Sequence, residues 1–227
     1  MLVVVLGAAG KLGREVVRAL AERGYPVRAV VRRPPDSAFG SPIEVRIADA
    51  RHKTQVSAAI AGADVVVNTI GGGTLRKNDV ESRTTAIAVG AAQEVTVKRY
   101  IAISAAMVAV DWKFFKYVLR PLVFRNILAE HLRVEGIVKA TGLEWTIVRP
   151  PRLTSGPPKG YLASLQLLRS AFSAARADVA AFIADEIEKT AYVREAVFVA
   201  SSSTGRGVTR EPQDFGKEEK DLEERNE

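Results

Sequence analysis

The chain contains no cysteine. That excludes disulfides, thiolate nucleophiles and cysteine-held metal together, and a cytoplasmic setting is expected from it. Histidine is nearly as scarce: His52 and His131 are the two present, too far apart in sequence to suggest zinc, so no metal centre is expected. No apolar run approaches the roughly 18 residues of a membrane-crossing helix. Met1 leads directly into an apolar strand, with no basic region or small-residue cleavage site, so no signal peptide is expected. Internal repeats are absent as well. At 227 residues the chain suits one domain with a substantial core and is short for two.

What is present is an apolar, basic chain: 47% hydrophobic, with a formal net charge of +7. The charge is uneven. From Ser201 onward five Lys/Arg face eight Asp/Glu, so the preceding body carries about +10. An excess of that sign suits a phosphate-bearing ligand, nucleic acid, or simply a solvated basic surface.

Short Val/Ile-rich runs alternate with helical stretches. Leu2 to Leu6 reads as a parallel strand covered on both faces. Lys11 to Arg23 places Leu12, Val16, Val17, Leu20 and Ala21 on one helix face, with Gly24 closing it. Further strands are expected at 27–31, 43–47, 65–70, 99–104, 144–148 and 196–200. Helices are expected at 52–61, 82–93, 125–141 (closed by Gly142) and 177–189. This alternation predicts an α/β fold: a Rossmann-type doubly wound parallel sheet with helices on both faces, in a single domain over 1–200. The polar residues 201–227 read as a charged, disordered tail.

Between the first strand and first helix stands Gly7-Ala8-Ala9-Gly10-Lys11-Leu12-Gly13. Glycines at this spacing, in this context, let the chain turn tightly, let a pyrophosphate approach the backbone and let the helix pack near the sheet. Free N–H groups at the helix start favour the anion. The second strand ends Val31-Arg32-Arg33 without the acid that accepts hydrogen bonds from an NAD ribose. Guanidinium groups suit a 2′-phosphate instead, so NADPH is expected over NADH.

Several segments in order, Gly7 to Gly13, Val31-Arg32, Ala48-Asp49-Ala50, Asp64 to Gly71, Ile103-Ser104-Ala105, His131-Leu132-Arg133 and Arg149-Pro150-Pro151-Arg152, give the chain a further likeness. It resembles the atypical short-chain dehydrogenases/reductases with an NAD(P)H-binding domain, and among them the biliverdin-IXβ/flavin reductase group. The resemblance implies that Gly7, Ala9, Gly10, Lys11, Leu12 and Gly13 hold the pyrophosphate. Arg32, with Arg33 beside it, would face the 2′-phosphate. Asp49 and Ala50 would lie at the adenine, and Thr69, Ile70 and Gly71 along the adenosine ribose. Ser104 would stand close to the nicotinamide, His131 near the cofactor, and Pro150, Pro151, Arg152 and Leu153 along the nicotinamide face. Arg152 stands where the biliverdin enzyme has a histidine.

Ordinary short-chain dehydrogenases use Tyr-x-x-x-Lys, whose ammonium lowers the tyrosine pKa. Here Ile127 and His131 align with those positions, so the tyrosine acid is missing. Hydride transfer without it remains feasible to flat conjugated acceptors such as flavins, quinones or linear tetrapyrroles. Ser104 and His131 are the candidate catalytic side chains, the first donating a hydrogen bond and the second relaying a proton. An NADP(H)-sensing or assembly-factor protein of the same fold is the alternative, because fold alone does not fix function.

Residues 111–125 interleave aromatics with Lys and Arg, from Asp111-Trp112-Lys113 to Phe124-Arg125. A helical hairpin packed on the sheet, a cover stacking on a flat substrate, and a contact surface for a protein partner all fit this pattern. Nucleic acid ranks below these as a partner.

Overall fold

In the computed structural model, which describes residues 1–40, 42–71, 79–110, 124–168 and 171–202, the alternation in the sequence becomes a three-layer α/β domain. Ten strands and five α-helices are described. They run β1 (Val3–Leu6), α1 (Lys11–Glu22), β2 (Val27–Val31), β3 (Glu44–Ile47), α2 (Lys53–Ile60), β4 (Val65–Asn68), α3 (Val80–Glu94) and β5 (Arg99–Ile103). A short 3-10 turn at Ala106–Ala109 follows, then α4 (Arg125–Lys139), β6 (Glu144–Arg149), β7 (Arg152–Thr154), β8 (Tyr161–Ser164), β9 (Ser173–Ala175), α5 (Arg176–Lys189) and β10 (Glu195–Ser201).

The main sheet has the order β3-β2-β1-β4-β5-β6-β10-β8. Seven of its strands are parallel and β8 runs antiparallel to β10 at the edge. The chain reverses its direction of travel across the sheet between β1 and β4, where open α/β sheets bind ligands beyond their strand ends. Alternate side chains of β1 explain its uninterrupted apolarity. Val3 and Val5 pack into the core beneath α1 and α5, while Val4 and Leu6 pack into the core beneath α2 and α3. Within the first core, Arg99 of β5 pairs with Glu186 of α5, whose carboxylate also accepts from the Tyr192 N–H at 2.9 Å.

The expected elements all occur, with boundaries moved by one or two residues. Three strands were not expected. β7, β8 and β9 are three or four residues long, too short to show alternation, and β7 and β9 form a separate two-stranded sheet. α4 is capped by Ala140, so Gly142 follows the helix without closing it in a left-handed turn. The domain extends slightly beyond 200: Ser201 completes β10, and the Ser202 N–H donates to Gly160 O at 2.9 Å. The remainder of the expected tail, and residues 111–123 of the aromatic–basic stretch, lie outside the described residues.

Candidate active site

Two clefts open along the carboxyl ends of the parallel strands. The first, about 320 Å³, lies beyond β1, β2, β3 and β4. Its wall is the glycine turn. Gly7 has φ +76°, and a Cβ there would stand 3.0 Å from Ile70 N, so both conformation and space demand glycine. At Gly13 a Cβ would meet Gly7 O at 2.4 Å and Ala8 Cα at 2.8 Å, which shows how closely α1 crosses the strand end. The turn is closed by Gly10 N–H donating to Gly7 O at 2.9 Å. α1 begins at Gly10 with no side-chain cap and no acidic residue in its first turn, so its N-terminal N–H groups remain offered to an anion.

Nine of the expected cofactor residues line this cleft together: Gly7, Ala9, Gly10, Arg32, Asp49, Ala50, Thr69, Ile70 and Gly71. Lys11, Leu12 and Gly13 stand behind the turn in the first turn of α1, and Arg33 is exposed beside the cleft without lining it. Thr69 fixes the opposite wall, its hydroxyl donating to Leu6 O at 2.8 Å. Asn68 sets the exit of β4: its amide donates to Tyr100 Oη at 3.0 Å and its carbonyl accepts from Ile70 N at 3.1 Å. Burial pushes the Tyr100 phenol up, and the fully buried ring lines neither cleft.

The same cleft contains a residue that sequence reasoning missed. Arg51 lines the cleft and holds the Asp49 carboxylate at 2.5 Å, and its side-chain and backbone hydrogen bonds keep Asp49 well below the usual carboxylate range. The Asp49 charge is therefore answered locally, while Arg32 presents its charge to the cleft. Arg14 steadies the segment after Arg32, donating to Ser37 O at 3.3 Å and lying 4.9 Å above the Phe39 ring.

The second cleft, about 400 Å³, lies beyond β5, β6 and β10. Its walls are apolar, with Ala106, Met107, Phe124, Pro151, Phe172 and Phe198 among them and Arg149 and Arg152 as the charged groups. Thus Arg152 is found, with Pro151, on the second cleft and not on the first. Phe124, from the aromatic–basic stretch, also belongs to this wall. Pro150 is buried, its carbonyl accepting from Ala106 N at 2.8 Å.

Beside this cleft a buried hub joins three elements. Glu135 of α4 accepts from Ser104 Oγ at 2.9 Å, from Arg149 Nε at 2.8 Å and Nη2 at 2.6 Å, and from Lys139 Nζ at 3.0 Å. Burial opposes its ionisation, but the hydrogen bonds from Arg149 and Lys139 outweigh it and hold the carboxyl below its ordinary value. An ionised carboxylate only accepts, so the Ser104 hydroxyl proton is committed to Glu135. In this arrangement the Ser104 hydroxyl keeps its lone pairs for a further neighbour. Neither Glu135 nor this hub carries a motif that a sequence reading would have marked. His131 stands one turn before Glu135, with Nδ1 3.4 Å from Glu81 Oε2.

Among the described residues no tyrosine lines either cleft. Likewise among them, no helix is long and apolar enough to cross a membrane.

These features accord with the comparisons to known proteins. A curated relative, the uncharacterised sugar epimerase YhfK of Bacillus subtilis, is 29% identical over 188 residues, covering 79% of this chain and 85% of its own. Among solved structures, a candidate NADH-flavin reductase from Streptococcus pneumoniae superposes with TM-score 0.76 at 18% identity, over 89% of this chain and all of the other. A short-chain dehydrogenase/reductase from Veillonella parvula, solved in complex with NADP, gives TM-score 0.73 at 18% identity over 90% and 96% of the two chains. The family model described as NAD(P)H-binding matches residues 7–190, from the first glycine of the turn to the end of α5, and the chain belongs to that family.

Proposed function

We propose that the protein is an NADPH-dependent reductase of a flat, conjugated acceptor. The observation that carries this reading is the pair of clefts on one edge of the sheet: a glycine-walled, arginine-bearing cleft for the dinucleotide, and an apolar cleft of about 400 Å³ for the acceptor. The residues present fit the cofactor. The turn leaves no room for a Cβ at Gly7 or Gly13, the start of α1 is uncapped, and Arg32 faces the site of a 2′-phosphate. Arg33 stands beside the cleft as a further cation, which favours NADPH over NADH. The Veillonella relative's NADP complex supports the same preference.

Bound NADPH supplies a hydride. The chain's part is orientation, exclusion of water and management of the proton. Ser104, His131, Pro150 and Arg152 form the nicotinamide end in this reading, Ser104 acting as acceptor of an N–H. Ile127 and His131 sit one turn apart on α4, in the places of the usual tyrosine and lysine, so interconversion of alcohols and ketones, or epimerisation of a sugar through them, is disfavoured. A flavin, quinone or linear tetrapyrrole takes hydride into a conjugated system without that acid. Phe124 lines the acceptor cleft, and its aromatic ring suits a flat acceptor. We place the activity in the cytoplasm.

The test is to titrate the purified protein with NADPH and NADH, then follow cofactor oxidation with FMN, a quinone and a biliverdin. Preferred NADPH binding with turnover of one acceptor is the expected result. Binding without turnover would transfer the assignment to NADP(H) sensing or assembly, and no nucleotide binding would overturn the reading.

A further inference from the structure

We propose that the second cleft selects an acceptor bearing an anionic group, a carboxylate or phosphate, which Arg152 binds beside the anchored guanidinium of Arg149. This substrate class rests on the reductase reading above. Both arginines line the cleft among apolar neighbours, and among the described residues no aspartate or glutamate lines it. A neutral planar acceptor would use the apolar walls and leave the charge at Arg152 with nothing to bind.

The two guanidinium groups are held differently. Arg149 spends Nε and Nη2 on Glu135, at 2.8 and 2.6 Å, and its Cζ stands 5.3 Å from the centroid of the Phe198 ring. Its side chain is 16% exposed, so the planar fork is fixed before any ligand arrives. Nη1 has no hydrogen-bond partner among the described residues. Lys139 also donates to Glu135, so two cations share one carboxylate and the hub keeps one positive charge in excess. Arg152 adds a second. It is exposed, and among the described residues its side chain has no ion pair or hydrogen bond. Excess positive charge at an apolar cleft with no acid on its wall attracts an anion and repels a cation.

The backbone holds Arg152 in place. It follows Pro150-Pro151, whose rings fix φ, and Pro150 O accepts from Ala106 N at 2.8 Å. Arg152 opens β7 and stands opposite Ser173 of β9, next in the chain to Phe172, which lines the same cleft. An exposed arginine with Phe124, Phe172 and Phe198 on the same wall suits a planar body lying against the rings while its acidic group meets the guanidinium.

The probes are two matched pairs: FMN with riboflavin, which differ by a phosphate, and biliverdin with its dimethyl ester, which differ by the charge of the carboxylates. Dissociation constants are read from flavin fluorescence and bilin absorbance with the first cleft saturated by NADP⁺, so no turnover is required. In at least one pair the acid should bind about 10-fold tighter than its neutral partner. Arg152→Gln should bring the two together to within about 2-fold, and Arg152→Lys should keep part of the preference. Added salt should shrink it, because Arg152 is exposed. A preference for FMN assigns a phosphate, and one for biliverdin a carboxylate. Equal binding within both pairs, no binding of any of the four, a preference that survives Arg152→Gln, or one that vanishes when NADP⁺ fills the first cleft would each overturn the anion seat and leave the reductase reading standing. Failure of every acceptor to oxidise NADPH would instead remove the reductase reading, while the binding preference would still report on the seat.

Discussion

The dinucleotide cleft and the acceptor cleft sit on one edge of one sheet, yet they are built by opposite means. Between Gly7 and Gly13 the wall consists of peptide groups, and its shape depends on side chains being absent. Beside the acceptor cleft, the ends of β5 and β6 are tied to α4 by Glu135, which gathers donors from Ser104, Arg149 and Lys139. A wall of backbone can serve any chain that binds a pyrophosphate, whereas a hub of side chains can be rewritten residue by residue. The first cleft therefore declares the cofactor, and the second holds what is particular to this protein.

The sharpest way to break that contrast is to remove the hub. Glu135→Leu leaves Arg149 part-buried without its counter-ion and Ser104 without an acceptor, and loss of one partner of a buried pair costs about 3–5 kcal/mol. Urea unfolding should show that loss while any folded fraction still binds NADPH normally. A loss below about 1 kcal/mol would mean that water replaces the carboxylate and that the hub is not structural. The pH dependence has a definite sign. Because the folded pKa of Glu135 is lowered, its contribution is present above the ordinary value of 4.5 and disappears as pH falls through the lower folded value. Glu135→Gln should flatten that acid limb.

The reverse test disturbs the backbone wall. In Gly13→Ala the new methyl would lie 2.4 Å from Gly7 O, 2.8 Å from Ala8 Cα and 2.9 Å from Thr69 Oγ1. Two of these are backbone atoms that move only with the turn itself. Overpacking of this kind costs about 3 kcal/mol, and NADPH binding should vanish from calorimetry even at temperatures where the variant is folded. Retained binding would show that the turn can shift without losing its ligand.

Arg32→Ala sharpens the comparison without deforming either cleft, since Arg32 is exposed. Loss of a hydrogen bond to a charged group costs about 1.5–3 kcal/mol, so NADPH should weaken roughly 10- to 100-fold while NADH is unaffected. Equal weakening of both would remove the 2′-phosphate from its assignment and turn attention to Arg51.

What the sequence made legible follows the same division. Val3 to Leu6, the glycine turn and the bare strand end at Arg32 are local signals, each readable without knowing what it packs against. Asn68 and Arg51 escaped notice because their roles depend on partners reached through folding: Asn68 on Tyr100, thirty-two residues away, and Arg51 on how Asp49 is turned. Glu81 and Glu135 escaped for a stronger reason. Each is an ordinary helix glutamate in sequence, and only the packing of α3 and β5 against α4 gives it a histidine or a serine to meet. Ser104 stands out in sequence by its place after β5, but its hydrogen bond to a carboxylate thirty-one residues later has no local signal. The short strands β7, β8 and β9 owe their existence to neighbours already in place, so no periodicity announces them.

The smallest effect is expected at the rim of the acceptor cleft, and it tests whether that cleft is used at all. Phe172 lines it while 69% exposed. Truncation of so open a side chain should change stability by no more than about 0.5 kcal/mol, because little apolar surface leaves water on folding there. Phe172→Ala should therefore raise the KM for the acceptor and leave both the melting temperature and the NADPH dissociation constant where they were. That combination is informative because no structural defect produces it: a change confined to the acceptor KM means that the ring of Phe172 meets the acceptor. Unchanged kinetics for every acceptor would place the reacting ring elsewhere and return the apolar cleft to the status of an unused surface.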